Sequence, residues 1–272
     1  MPDWFAGDVI VNGIRIHYYR TGRDLPPLVL SHGVTDSGMC WPRLAAALRD
    51  DYEIVTYDAR GHGLSEAPER GYSADDRAAD LAGLITTLHL DRPRLLGHSM
   101  GGETTAYCAG NYPSLPRCAV LEDPPFGPDL YPPTESERDA SYLAFRKEIE
   151  TRRARTHAQI VAAGRAENPR WAAEEFDDWA TAKQRVSPYA ANRRREPPRR
   201  TWQQTLAAIE CPVLLLTADP ALGARITPAV AAEASSLMKR GKVVNIAGAG
   251  HNIRRDQFEA FLEAVKSFLA EV

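Results

Sequence analysis

Short runs of branched and aliphatic residues, separated by stretches with helical spacing, constrain this chain more than any other feature. Val9-Ile10-Val11, the pair Asn12-Gly13 and Ile14-Arg15-Ile16-His17-Tyr18-Tyr19 read as a β-hairpin. A type I′ turn needs positive φ at both central residues, and Asn-Gly supplies them. Four further β-rich runs follow at 28–30, 54–57, 94–96 and 119–121. Between them, Trp41/Leu44/Ala45/Leu48 and Ala78/Leu81/Leu84/Ile85/Leu88 recur at helical spacing. Strands that are apolar on both sides need helices on both faces, so the alternation predicts a covered, mostly parallel sheet.

The pattern breaks between about 128 and 205, where β-rich runs vanish and charged helical segments take over around Pro132-Pro133, Pro169, Pro188 and Pro197-Pro198. Residues 146–200 hold fourteen Lys/Arg against eight Asp/Glu, a charge of +6, so the rest of a chain whose total is −3 carries −9. Strand signals return at 212–216 and 243–246. A closing amphipathic helix then places Phe258, Phe261, Leu262, Val265, Phe268 and Leu269 on one stripe. The expected organisation is a first core part at 1–127, an all-helical cap inserted at 128–205, and a second core part at 206–272. A positive cap over a negative core would favour docking of the one on the other.

A chain of 272 residues buries roughly 70–75% of its unfolded surface and needs no staple to fold. Cys40, Cys108, Cys118 and Cys211 stand singly, without metal-ligand or disulfide spacing, and read as small buried hydrophobes. No metal or organic cofactor motif is present. The near-neutral total argues against a nucleic-acid partner. The first eight residues lack the basic start and apolar core of a leader, and no apolar run reaches the ~18 residues of a membrane span, so a soluble, cytoplasmic protein without a membrane partner is expected. Oligomeric state leaves no mark on the sequence.

Chemistry concentrates at Gly97-His98-Ser99-Met100-Gly101-Gly102, where an apolar strand runs through G-x-S-x-G into a helical pattern. A serine on so sharp a turn projects its Oγ above the sheet only if its neighbours lack bulk. A nucleophilic serine needs a base, and His251 in Gly248-Ala249-Gly250-His251-Asn252 follows the last strand, where a loop can reach the same sheet edge. His98, His62, His17, His89 and His157 are worse placed: beside the serine but turned away, in a Gly-rich loop, in the hairpin, at a helix end and in the cap.

With these motifs the chain resembles the α/β-hydrolase fold superfamily over its whole length. Ser31-His32-Gly33-Val34, Asp58-Ala59-Arg60-Gly61-His62-Gly63-Leu64-Ser65, the serine motif and the histidine motif occur in that family's order. The resemblance implies an eight-stranded, mostly parallel sheet with helices on both faces, a lid after the sixth strand, and an active site at the strands' carboxyl ends. It also implies an oxyanion hole made by the backbone N–H groups of Val34 and Met100.

Two carboxylates compete for the triad acid. Asp219 starts the loop after the seventh strand but lies two residues before the family's usual slot, which falls on Ala221. Asp123 follows the sixth strand, 24 residues past Ser99, where other branches of the family place the acid, and it is favoured. Glu122 should face the opposite side by strand alternation. Asp58, Arg60 and His62 read as loop-shaping residues. Tyr142, Phe145, Trp171, Phe176 and Trp179 could line a pocket or hold the cap together, and Arg193-Arg194-Arg195 and Arg199-Arg200 read as solvated or as cap–core bridges.

The expected function is hydrolysis of a small-molecule ester or lactone through an acyl-enzyme on Ser99, His251 and Asp123. A serine at position 99 counts against haloalkane dehalogenase and epoxide hydrolase chemistry, which in this superfamily use aspartate. The same triad would serve a C–C bond hydrolase, an acyltransferase or a cofactor-free perhydrolase, and a hydrolase-like small-ligand receptor would keep it while turning over slowly.

Overall fold

The computed structural model describes residues 4–127 and 132–272; the expected domain boundary at 128 and the first three residues of the N-terminal reading lie outside them. The chain begins with the hairpin β1 (Phe5–Val11) and β2 (Ile14–Arg20), whose register pairs Val11 with Ile14. Asn12 and Gly13 carry the expected positive φ, 50° and 76°. There follow β3 (Pro27–Ser31), α1 (Pro42–Leu48), β4 (Glu53–Tyr57), α2 (Ala74–Thr87), β5 (Arg94–His98), α3 (Met100–Asn111) and β6 (Cys118–Glu122). After α4 (Glu135–Arg153), α5 (His157–Glu167), α6 (Phe176–Arg185) and α7 (Trp202–Ala208), the sheet resumes with β7 (Val213–Thr217). The chain ends through α8 (Pro228–Leu237), β8 (Gly241–Asn245), α9 (Ile253–Asp256) and α10 (Phe258–Ala270).

The eight strands lie in the order β1-β2-β4-β3-β5-β6-β7-β8, with β1 and β2 antiparallel and the other six parallel. Strand alternation divides their side chains between two cores. Leu28, Leu30, Leu96, Val120, Leu214 and Leu216 face α1 and α10. Val29, Val55 and Leu95 face α2 and α3, and Leu121, Val213 and Leu215 meet Leu206 of α7 and Ala234 of α8. Burial on both faces is why these strands are continuous apolar runs. All four cysteines are free and buried, and burial pushes the Cys211 thiol up to about 11 and the Cys40 thiol up to about 12.

Among the described residues, the segment between β6 and β7 is helical. Three of its helices start on the same device: Thr134, Thr156 and Thr201 accept from the backbone N–H three residues on, while Glu137, Gln159 and Gln204 reach back. The segment is joined to the sheet by charge, since Arg193 donates to the α3 residue Glu103 at 3.2 Å and Lys183 donates to Asp36 at 2.9 Å. Part of the arginine run is therefore buried bridging. Among the described residues, no helix is long and apolar enough to cross a membrane.

Candidate active site

Ser99 stands where β5 gives way to α3, with φ 53° and ψ −117°, a conformation that L side chains rarely adopt. The turn is tight enough to dictate its glycines. A Cβ on Gly97 would lie 2.1 Å from the Gly101 carbonyl oxygen, and one on Gly101 would lie 1.9 Å from that of Ser31. Backbone atoms cannot yield by such amounts, so both positions require glycine. The Ser99 N–H donates to the Glu122 carbonyl at 2.9 Å, which ties the turn to the end of β6.

Asp123 follows β6 directly and enters the left-handed region at φ 41°. Its fully buried carboxylate accepts the N–H groups of Arg225 at 2.8 Å and Ile226 at 3.0 Å. The His251 Nδ1 lies 2.6 Å from Asp123 Oδ2, and its Nε2 lies 2.9 Å from the Ser99 Oγ. With the carboxylate accepting at Nδ1, the Nε2 lone pair faces the hydroxyl. Three residues distant in sequence thus form one relay.

Asp219 does not reach His251. It shapes the loop that carries the histidine, accepting the Gly248 N–H at 2.7 Å and donating its own N–H to Ala249 at 3.0 Å. Glu122 points to the opposite face, where it accepts the Arg254 backbone N–H at 2.9 Å and its guanidinium at 3.2 Å. Burial raises the Glu122 carboxyl above its ordinary range, and Arg254 pulls it back.

Val34, in the loop after β3, lines the same cavity as Ser99. Met100 opens α3 directly after Ser99. The peptide that carries the Val34 N–H is fixed from behind, because its carbonyl, on Gly33, accepts from His32 Nδ1 at 2.8 Å and from the Asp36 N–H at 3.0 Å. His32 Nε2 in turn accepts the Ala59 N–H at 3.0 Å, so the ring is a neutral Nδ1–H tautomer. Burial agrees, lowering the His32 pKa to about 3. His98, held neutral chiefly by burial and then by Arg254 and His251, donates from Nε2 to the His251 carbonyl at 3.0 Å.

Behind this loop lies a buried ionic cluster that the sequence did not reveal. Asp36 meets Lys183 at 2.9 Å, Arg254 at 3.2 Å and Arg255 at 3.1 Å, and Arg255 reaches Glu175 at 2.9 Å. Burial alone would raise the Asp36 carboxyl, but Arg255, Lys183 and Arg254 outweigh it and hold the pKa well below the usual range. The only sequence hint was the doublet Arg254-Arg255 placed directly after the histidine motif.

Ser99 and His251 open into a cavity of about 410 Å³. Phe145, Trp171 and Trp179 line it, whereas Tyr142 packs within the helical segment and Phe176 stacks on Trp171. Asp58 and His62 shape the loop beside it: the Asp58 carboxylate accepts the Gly38 and Leu64 N–H groups, each at 2.8 Å, and His62 Nε2 lies 2.7 Å from the Val34 carbonyl. Arg60 is committed to Asp80 at 2.6 Å. Among the described residues no His, Cys, Asp and Glu group is arranged to hold a metal ion.

Residues 28–264 match the model of the Alpha/beta hydrolase family. The chain is 41% identical over 98 residues to the 2-(acetamidomethylene)succinate hydrolase of Mesorhizobium japonicum, covering 36% of this chain and 35% of that protein. It is 37% identical over 125 residues to the N-formylmaleamate deformylase of Pseudomonas putida, covering 45% of this chain and 47% of that one. The matched region thus spans between a third and a half of these curated relatives. The solved structure of an E-2-(acetamidomethylene)succinate hydrolase superimposes with a TM-score of 0.82 at 25% identity, over 98% of this chain and 99% of that one. A covered eight-stranded sheet, a serine on a strand-to-helix turn, and a family match over most of the length agree: the chain belongs to the alpha/beta hydrolase family.

Proposed function

We propose that this protein is a serine hydrolase that cleaves a carboxylic ester or lactone through an acyl-enzyme intermediate. The observation that carries the reading is the relay from Ser99 Oγ to His251 at 2.9 Å and on to Asp123 at 2.6 Å. Ser99 Oγ attacks the acyl carbon as its proton passes to His251 Nε2, and the carbonyl becomes an oxyanion. The oxyanion accepts from the Val34 and Met100 N–H groups, each donor of this kind contributing roughly 10²–10³ in rate. Collapse expels the alkoxide, which takes the proton from Nε2. Water then repeats the sequence on the acyl-enzyme and frees the acid. Helices between β6 and β7 act as the cap, and their aromatic side chains receive the acyl or alcohol portion.

The relatives' names also favour a second reading, in which the acyl group sits on nitrogen. One is a deformylase and the other acts on an acetamido compound by name. The same Nε2 proton would serve a leaving nitrogen, so an amide belongs beside the ester in any substrate panel.

The test is a pre-steady-state assay with p-nitrophenyl butyrate, followed by mass spectrometry of the quenched protein. A burst of one p-nitrophenol per chain and a butyryl adduct on the peptide containing Ser99 are expected, and Ser99→Ala should abolish both. Turnover that persists in Ser99→Ala would overturn the reading. Tight binding of a small ligand without turnover of any ester or amide would point to a receptor instead.

A further inference from the structure

We infer that Lys183 is a positioning residue for the oxyanion hole, reaching the Val34 N–H from the helical segment through two peptide groups. The inference deepens the proposed acyl chemistry and rests on it, because that chemistry gives the Val34 N–H an oxyanion to hold. Lys183 lies on α6, buried, and its Nζ donates to the Thr35 carbonyl at 2.7 Å and to the Asp36 carboxylate at 2.9 Å. The peptide group whose oxygen it grips ends in the Asp36 N–H, which donates to the Gly33 carbonyl at 3.0 Å. That carbonyl belongs in turn to the peptide group ending in the Val34 N–H. An ammonium and two peptide groups therefore stand head to tail, and the last N–H is given to no acceptor among the described residues.

A peptide N–H becomes a stronger donor when the carbonyl of its own peptide accepts a hydrogen bond, and a charged donor at the head of the chain does this most strongly in a dry interior. Lys183 thus fixes the plane of the first peptide group and strengthens each N–H after it. The ammonium itself has little freedom, since the Trp179 ring, one turn back on α6, has its centre 4.6 Å from Nζ. The other two carbonyls of the loop are held from outside the helical segment: Gly33 also accepts from His32 at 2.8 Å, and the Val34 carbonyl lies 2.7 Å from His62 Nε2. Among the described residues, Lys183 is the one hydrogen-bond donor that the helical segment supplies to this loop. Burying a lysine costs desolvation that an apolar anchor avoids, and Val34 already packs on such an anchor around Phe145 and Ile149. Joining the segment to the sheet therefore leaves the charge unexplained, whereas orienting an oxyanion donor accounts for it.

Lys183→Met keeps an unbranched stem and removes the donor. With p-nitrophenyl butyrate its kcat should fall about 10–100-fold, somewhat less than for outright loss of an oxyanion donor, with KM within about threefold of native. The Ki of 1,1,1-trifluorohexan-2-one should rise in parallel, because its carbonyl carbon bonds to Ser99 Oγ, the serine proton passes to His251, and the carbonyl oxygen becomes an oxyanion. Lys183→Arg, which keeps a charged donor, should recover part of both. The cluster around Asp36 sets Lys183, Arg254 and Arg255 against Asp36, Glu122 and Glu175, so Lys183→Met combined with Asp36→Asn keeps its charge balanced. That double variant should stay slow, and it carries the test if the single variant does not fold. Recovery of kcat in the double variant would show that charge balance alone mattered and would overturn the inference, as would a loss confined to KM, the mark of direct substrate contact. Deuterium exchange needs no turnover: in Lys183→Met the Asp36 amide should exchange about tenfold faster, with the β3 and β5 amides unchanged, and an unchanged Asp36 amide would overturn the inference. A native protein that turns over no ester or amide, but whose Lys183→Met variant loses that protection, would sink the hydrolase reading and leave the loop-positioning role standing. A native burst with unaltered kcat and Ki in Lys183→Met would do the reverse.

Discussion

Replacing Asp123 by asparagine removes one oxygen from a carboxylate that has three donors around it. Oδ1 accepts from Ile226, while Oδ2 accepts from both Arg225 and His251 Nδ1. If the asparagine oxygen stays with Ile226, its NH₂ faces His251 and donates to Nδ1, forcing the proton onto Nε2. That nitrogen then donates to Ser99 Oγ and can no longer take its proton. A relay in the wrong tautomer loses about 10⁴ in kcat, or about 5.4 kcal/mol at about 1.36 kcal/mol per tenfold. The Arg225 N–H also loses its acceptor, at a cost of about 1–3 kcal/mol in stability, so rates should be normalised to folded protein by circular dichroism. Asp219→Asn is the control. Its carboxylate accepts one backbone N–H, from Gly248, which an asparagine oxygen can still do, and a loss under about threefold is expected. Stopped-flow p-nitrophenol release from both variants decides the matter, and a larger loss in Asp219→Asn would refute the assignment of roles.

Other outcomes follow from the same geometry. Ser99→Gly should end turnover yet raise Tm by about 2 °C, because relief of the positive φ contributes roughly 1 kcal/mol; a lower Tm would show that the turn holds no strain. Gly101→Ala should give little or no soluble protein, since its Cβ would meet the Ser31 carbonyl, whereas Gly13→Ala, with open space but φ 76°, should fold with a loss of about 1 kcal/mol in urea titration. Burial lowers the pKa of His32, His62 and His98 below the unfolded value of 6.5, so the unfolded chain binds more protons below that pH. Stability should therefore fall as pH drops from about 7 through 6.5 towards the folded values, with His32, at about 3, contributing about 1.4 kcal/mol of loss between pH 7.5 and 5.5. Urea midpoints at these two pH values check this, and His32→Gln should flatten the slope.

The centre of the sheet was legible because β3 to β7 are buried on both faces, which leaves apolar runs such as 214–216 with little other explanation. The Asn12-Gly13 turn and the glycines flanking Ser99 were legible for a related reason, since their backbone angles or close contacts admit few other residues. Asp123 could be ranked above Asp219 only through family spacing, because which carboxylate meets a histidine 128 positions away depends on how two loops fold. The cluster around Asp36 was invisible. Its members lie at 36, 175, 183, 254 and 255, and nothing local separates a buried aspartate from the solvated ones around it. The arginines at 193 and 194 stood out as a run, but a run cannot say that Arg193 is buried against Glu103.

The ionic cluster also bears on how the molecule comes apart. Asp36 belongs to the loop after β3, Lys183 to α6, Glu175 precedes α6, and Arg254 and Arg255 belong to α9. Lifting the helices between β6 and β7 off the sheet would take Lys183 from Asp36 and Glu175 from Arg255, leaving Asp36 with Arg254 and Arg255 alone. Separating these buried pairs adds to the cost of opening, offset in part by the water that reaches the freed charges. Sub-global opening of that segment would then cost more than the loss of its apolar contacts alone. The amides of α6 and those of β6 should exchange with deuterium together, as one cooperative unit, and ligands would enter through the standing mouth of the cavity, with the helices staying seated.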